Sequence, residues 1–194
     1  GLPARGMTPE LPERPRAVLD ACVLYPTVQR ELLLAVARAG LFAPVWSARL
    51  LEEWARAAAR RGALEEAQAR AEIAVTRAAF PGAEAAPPEG VAARLWLPDA
   101  ADVHVLATAV AASADGIVTV NARDFPRGAL AEEGLARWEP DGFLLALWLR
   151  APAAVAAAAE AVRAEAERID AAPSELRALL KKARLPRLAK ALAA

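Results

Sequence analysis

The run Leu97-Pro-Asp-Ala-Ala-Asp-Val-His-Val-Leu-Ala-Thr-Ala-Val110, followed by Gly116-Ile-Val-Thr-Val-Asn-Ala-Arg-Asp-Phe-Pro126, constrains the fold more than any other feature. Asp99 and Asp102 stand at the start of an apolar helix, and the strand-like Gly116–Val120 then ends in a turn carrying Asn121 and Asp124. Acids at a helix start and just past the next strand face each other across the carboxyl edge of a parallel sheet, where open α/β folds bind ligands. Asp20 ends a third apolar run, Ala17-Val-Leu19, and Glu53 lies in the helix after Pro44-Val-Trp46. Such a set of carboxylates suits a hard divalent cation and not an apolar core.

The remaining pattern supports that sheet. Ala17–Leu19 reads as a buried strand, and Thr27 opens a helix through Leu32, Leu33, Val36 and Ala37 that stops at Gly40. Phe42–Trp46 is the second strand. Ser47 caps the next helix, with Trp46 and Leu51 at the two positions of a hydrophobic staple, and that helix breaks near Gly62. Ala63–Ala79 is a further helix, closed by Phe80-Pro-Gly82. Asp99 caps a helix whose Val103, Leu106, Ala107 and Val110 form an apolar stripe, and Ala136–Trp138 reads as a last edge strand. Strands alternating with helices predict an α/β fold with a twisted, mainly parallel sheet.

Beyond about residue 150 only helical patterns remain, which predicts a C-terminal appendage over 150–194. Ala153–Ile169 is one segment, and its stripe Val155, Ala159, Val162, Ala166 and Ile169 must bury itself against something. Pro173 and Ser174 start a second helix, and Leu185-Pro186 interrupts the tail. Arg177, Lys181, Lys182, Arg184, Arg187 and Lys190 fall between residues 177 and 190 with no acid among them. The first fifteen residues hold Pro3, Pro9, Pro12 and Pro15 with mixed charges, and are expected to be a flexible leader and not a secretory signal.

Composition narrows the class. With 194 residues, 56% of them hydrophobic and 25% charged, the chain can build one domain with a real core plus a small addition. Its formal net charge of zero argues against a chain-wide attraction to nucleic acid and leaves room for a local basic patch. The single cysteine, Cys22, excludes an internal disulfide and suits a reducing cytoplasm. No uncharged apolar segment is long enough to span a bilayer, since Phe143–Leu149 is closed by Arg150, so no membrane partner is expected.

Four fragments, in this order and strand context, resemble the PIN-domain ribonucleases, in particular VapC-type toxins of bacterial toxin–antitoxin modules. They are Val18-Leu-Asp-Ala-Cys-Val-Leu24, Leu50-Leu-Glu-Glu-Trp54, Asp99-Ala-Ala-Asp-Val-His-Val-Leu-Ala-Thr-Ala109 and Ile117-Val-Thr-Val-Asn-Ala-Arg-Asp-Phe125. The resemblance implies a three-layer PIN-like domain over residues 16–149. It maps the family's four acidic positions onto Asp20, Glu53, Asp102 and Asp124, with Thr119, Asn121 and Asp99 supporting. Glu52 competes with Glu53, which is preferred because Trp54-Ala55-Arg56 follows it as a hydrophobic residue and a basic turn follow the family glutamate. Where the family often has Asn, Ser or Thr two residues after its first aspartate, this chain has Cys22.

The implied activity is Mg²⁺- or Mn²⁺-dependent hydrolysis of RNA phosphodiesters. Asp20 and Asp102 would be the principal metal ligands, and Glu53 and Asp124 would complete the shell or orient the attacking water. The resemblance further implies an RNA substrate (tRNA among the candidates), a cognate antitoxin and a homodimer. Lys181, Lys182, Arg184 and Arg187 are the candidate RNA contacts, set against the plainer reading of a solvated helix face.

Plainer readings stand beside several other residues. Asp99 is a helix cap, Cys22 a small buried residue, and Asp124 could serve an Asx turn. His104, the one histidine, lacks a recognisably spaced serine or cysteine partner and reads as structural or substrate-side. Trp46, Trp54 and Trp148 occupy core positions, leaving Trp96 and Trp138 as candidates to stack on a base. The rival function is a non-catalytic PIN-like module that binds RNA or protein, motivated by Cys22, the zero net charge and the helical tail. A metal-dependent phosphatase would want an Asp-x-Asp pair after the first strand, and Asp20-Ala21-Cys22 does not supply one. The nuclease reading requires the carboxylates to converge.

Overall fold

The computed structural model describes residues 11–193. Four short strands, β1 (Arg16–Leu19), β2 (Ala43–Val45), β3 (Gly116–Val118) and β4 (Ala136–Trp138), form one sheet in the order β2-β1-β3-β4. Every adjacent pair is parallel. The inward-running residues of β1 and all of β3 are buried, so helices cover both faces of the sheet. All strands therefore point their carboxyl ends to one edge.

That edge is built by short connections. Asp20 follows β1 and caps the one-turn helix α1 (Ala21–Leu24), which leads into α2 (Thr27–Arg38). α2 ends at Gly40, whose φ of +83° is a left-handed conformation natural to glycine. Ser47 caps α3 (Ala48–Ala59) by accepting from the Leu50 amide, and Trp46 and Leu51 beside it are both buried. α4 (Ala63–Ala79) packs back on α3. Gly116 is fixed by close approach: a Cβ there would lie 2.6 Å from the Trp138 ring and 2.7 Å from the Ala136 carbonyl oxygen.

Several boundaries differ from the sequence expectations. The second and third strands are shorter than Phe42–Trp46 and Gly116–Val120; the chain leaves β3 after Val118, and Val120 is exposed. The Asp99 cap opens a 3₁₀ turn, Ala100–Asp102, before α5 (Val103–Ala111). The buried side of α5 is Val105–Ala109, whereas Val103 and Val110 are only half-buried, so the helix is rotated from the predicted stripe. Five consecutive buried residues mean that α5 is covered over more than one face, and a single-stripe pattern cannot describe it. A six-residue helix, α6 (Arg127–Glu132), fills the link to β4 and was not expected.

The C-terminal helices belong to the same core. α7 (Pro140–Arg150) leaves the carboxyl end of β4, and α8 (Pro152–Asp170) packs on α2 and α7. Val155, Ala159 and Val162 are buried as expected, but Ala166 is half-buried and Ile169 is 64% exposed. The cause is length: at about 1.5 Å per residue, α8 outruns the shorter α2 it lies against. Glu175, and not Ser174, caps α9 (Leu176–Lys182), accepting from the amides of Arg177 and Ala178. Ser174 is instead tied back to α8 through Glu167 and Arg163. The amides of Arg187 and Leu188, in the first turn of α10 (Pro186–Leu192), donate to the Asp141 carboxylate of α7.

Of the expected leader, residues 1–10 lie outside the described residues. Leu11 packs against the core, the Pro12 carbonyl accepts from Arg150, and Pro15 is buried.

Candidate metal centre at the carboxyl edge

Asp20 is placed first, because it ends the central strand. Its backbone N–H donates to the Val118 carbonyl, continuing the β1–β3 ladder, so its side chain leaves the sheet at a fixed point. The carboxylate is almost fully buried and held at both oxygens. The Ala21 amide donates to Oδ1 at 2.8 Å, and the Thr119 hydroxyl donates to Oδ2 at 2.8 Å. The Cys22 thiol donates to the same Oδ2 at 3.3 Å. Cys22 is thus only half-buried and engaged with Asp20, where a small buried residue was expected. Burial, then the negative charge of Asp20, pushes its thiol up to about 12, so it remains a donor at neutral pH.

Thr119 links two of the acidic positions. Its hydroxyl oxygen also accepts from the Asn121 amide at 3.0 Å. Asn121 Nδ2 in turn donates to Asp124 Oδ2 at 2.9 Å, while the Asp124 amide faces Asn121 Oδ1 at 3.4 Å. This reciprocal pair holds the turn after β3 and aims the Asp124 carboxylate back over the sheet edge.

One carboxylate oxygen from each of Asp99, Asp102 and Asp124 lies within 4.8 Å of the others. Asp99 does two jobs at once, accepting from the Ala101 amide as the cap while standing in this cluster. Asp102 records the crowding: burial, then the charges of Asp20, Asp99, Asp124 and Glu53, push its carboxyl up to about 6. Burial likewise raises Asp20 above the usual range, with a further push from Glu53. None of the salt bridges among the described residues brings a lysine or arginine to Asp20, Asp99, Asp102 or Asp124.

The two adjacent glutamates part company. Glu52 turns towards α4, where Arg70 binds it through two nitrogens at 2.9 and 3.0 Å and holds its carboxyl down at about 2. Glu53 is the one whose charge reaches Asp20 and Asp102. Its Oε1 lies 2.6 Å from His104 Nε2 and 3.9 Å from the Arg49 guanidinium. Sequence reasoning missed that pairing. A histidine two residues past Asp102 was its only signal, because α3 and α5 are far apart in the chain.

The aromatic and basic candidates also take definite places. Trp138 is half-buried with its ring 5.1 Å from that of Phe143, whereas Trp96 is 69% exposed, three residues before Asp99. Trp46 and Trp54 are core residues, and Trp148 is half-buried. Lys181, Lys182, Arg184 and Arg187 are all exposed. α7 begins where β4 ends, so the Asp141 cap brings the start of α10, and Arg187 with it, to the carboxyl-edge side of the sheet.

Residues 16–123 match the family model of the PIN domain, and residues 140–194 match that of the VapC50 C-terminal domain. α7 therefore falls within the second match. No curated protein and no solved structure matches the chain.

Proposed function

The chain belongs to the PIN-domain family and is of the VapC type with a C-terminal extension, and from that premise we propose that it is a divalent-metal-dependent endoribonuclease, the toxin of a toxin–antitoxin pair. Family membership supports a nuclease. The observation that carries the metal is the crowding of Asp99, Asp102 and Asp124 within 4.8 Å, where burial and then the charges of Asp20, Asp99, Asp124 and Glu53 raise the Asp102 carboxyl to about 6. Carboxylates packed in this way stay ionised only when positive charge offsets them, and an all-oxygen donor set fits Mg²⁺ or Mn²⁺.

In this reading Asp20, Asp102, Asp124 and Glu53 hold the metal, with Asp99 beside them. A bound divalent ion supplies charge neutralisation and Lewis-acid polarisation of a phosphodiester. The chain's own residues supply position. Thr119, Cys22 and the Ala21 amide fix the Asp20 carboxylate before any ligand arrives, and Asn121 fixes Asp124. Donors already in place need no reorganisation during the reaction. Lys181, Lys182, Arg184 and Arg187 take phosphates of the RNA, a local attraction in a chain of zero net charge.

A PIN-like domain over 16–149, a helical extension over 150–194, action in the cytoplasm, a tRNA substrate, a homodimer and a cognate antitoxin complete the proposal. No helix among the described residues is long and apolar enough to cross a membrane.

The deciding experiment incubates the full chain with total RNA in Mg²⁺, in Mn²⁺ and in EDTA, then maps the new ends. Discrete metal-dependent ends, absent with Asp102→Asn, are the expected result. RNA binding without cleavage in either metal would move the assignment to the non-catalytic binding module.

A further inference from the structure

His104 occupies the second position of α5, with its side chain only 11% exposed. Its Nε2 is 2.6 Å from Glu53 Oε1, a close charge contact outside hydrogen-bond alignment, and neither ring nitrogen has a hydrogen-bond partner among the described residues. A bare nitrogen lone pair this close to a carboxylate oxygen would be repelled, so the contact requires a proton on Nε2. The histidine thus has one polar neighbour, and that neighbour is the glutamate.

Glu53 is itself contested. The same Oε1 lies 3.9 Å from Arg49 Nε, one helical turn back on the solvent side of α3, where Arg49 is 63% exposed. Arg49 stands at i−4, the spacing at which helix residues pair along the outer surface. Glu53 is 38% exposed and has several rotatable bonds. Two positions are therefore open to it: towards His104 and the carboxylate cluster, or outward along the helix towards Arg49. The inward position sets a carboxylate near like charges with Arg49 only at 3.9 Å, and moving outward would tighten that pairing, so something must hold it inward.

We infer that His104 is a positioning residue that restrains Glu53 on the cluster side, against the pull of Arg49, and leaves the second carboxylate oxygen free for the metal. The inference rests on the proposed role of Glu53 in the metal centre. It assigns a task to a histidine that is neither a ligand nor a general base. Partners that orient ligands from outside the coordination shell are typically worth about 10- to 100-fold in metal affinity.

The test measures Mn²⁺ affinity of the full chain, by titration calorimetry or by the loss of the free-ion paramagnetic signal, with no RNA present. The variants are Glu53→Gln, His104→Ala, His104→Gln, Arg49→Ala and the doubles His104→Ala with Arg49→Ala and His104→Gln with Glu53→Gln. Glu53→Gln should weaken Mn²⁺ binding about tenfold or more, and His104→Ala nearly as much. Arg49→Ala alone should bind as the wild type does, while Arg49→Ala in the His104→Ala background should recover a several-fold part of the loss. His104→Gln, which keeps a side-chain donor, should bind better than His104→Ala, and the double His104→Gln with Glu53→Gln should bind no more weakly than Glu53→Gln alone, because both act through one carboxylate.

Wild-type Mn²⁺ affinity in His104→Ala, beside a weakened Glu53→Gln, overturns the inference and leaves the metal centre standing. So does a measurable loss in His104→Gln that adds in full to the loss in Glu53→Gln. If Glu53→Gln itself binds Mn²⁺ normally, Glu53 is not a ligand and both readings fall. Should His104→Ala not fold, as thermal unfolding will report, the His104→Gln pair decides by the same additivity criterion.

Discussion

Two acidic regions of this protein are treated in opposite ways. Along α3 and α4, and again along α8, carboxylates meet arginines. Arg70 holds Glu52 and Glu66, Arg163 holds Glu160 and Glu167, and Arg168 holds Glu165. At the carboxyl edge of the sheet the opposite holds: Asp99, Asp102 and Asp124 stand together with Asp20 near enough for its charge to act on Asp102, and no salt bridge to a lysine or arginine among the described residues reaches these four. The chain carries as many basic as acidic residues, so the edge is not short of cations by composition. Arginine hydrogen bonds hold down the carboxyls of Glu52, Glu160 and Glu165, that of Glu52 to about 2, whereas burial and neighbouring charges push Asp102 up to about 6. The exposed pairs are solvated surface chemistry of small net worth. The edge cluster stores repulsion that only something from outside the chain can relieve.

Breaking that contrast at its centre should have the largest effect. Asp20→Asn and Asp102→Asn should each cut metal-dependent RNA cleavage by about a hundredfold or more, since each would take a charged ligand from the proposed metal centre. Both variants should unfold at the same temperature as the wild type or higher. Full cleavage by either would show that the crowded edge is not where the chemistry happens.

The two adjacent glutamates give the sharpest form of the comparison. Glu53→Gln should lower cleavage about tenfold to a hundredfold, and Glu52→Gln should leave it unchanged, because Arg70 and Arg56 already neutralise Glu52 on the outer surface. The reverse result, read from the same assay, would mean that the arginine-paired carboxylate is the functional one and that the contrast has been drawn the wrong way round.

The basic tail tests whether cations elsewhere serve the edge. The extension shares the core through Val155, Ala159, Leu180, Leu185 and Leu188, so deleting it would expose apolar surface and confuse the result. Charge reversal on the intact chain avoids this. Lys181→Glu with Lys182→Glu should weaken RNA binding without altering Mn²⁺ affinity, and should lower the salt dependence of binding by roughly one unit of slope per lost phosphate contact. An unchanged salt titration would reduce the tail to packing.

How far this was readable in the sequence follows the same division. Features fixed by local chemistry were legible. Ser47 caps α3, Gly40 ends α2, Ala63–Ala79 is a helix to the residue, and four strands pair in parallel where alternation of apolar runs predicted them. The meeting of Asp102 and Asp124 was legible too, since strand ends and helix starts must share one edge. Features set by partners distant in sequence were not. Nothing near His104 names Glu53, and nothing near Ser174 says that Glu167 will claim its amide and pass the cap to Glu175. The exposure of Ile169 depends on the length of α2, a helix more than a hundred residues earlier.

The smallest effect tests the repulsion without any catalysis. The carboxyl of Asp102 is raised in the folded, metal-free protein from an ordinary value near 3.8 to about 6. A raised acid binds its proton more readily when folded than when unfolded, so stability falls as pH rises through that window. Below about pH 4 both states are protonated and the penalty is absent; above about pH 6 it is present in full. Asp102 is only half-buried, so after screening the penalty is about 1 kcal/mol. For a chain of this size that corresponds to about 2–4 °C in the unfolding midpoint. In EDTA at pH 7, Asp102→Asn should therefore unfold about 2–4 °C above the wild type, and the gap should close as the pH falls towards 4. Saturating Mn²⁺ should raise the wild type past the variant, because the ion binds only the folded cluster. A gap of the same size at pH 4 and pH 7 would mean that Asp102 is not held against its neighbours' charges, and the carboxyl edge would then differ from the arginine-paired surface in position alone.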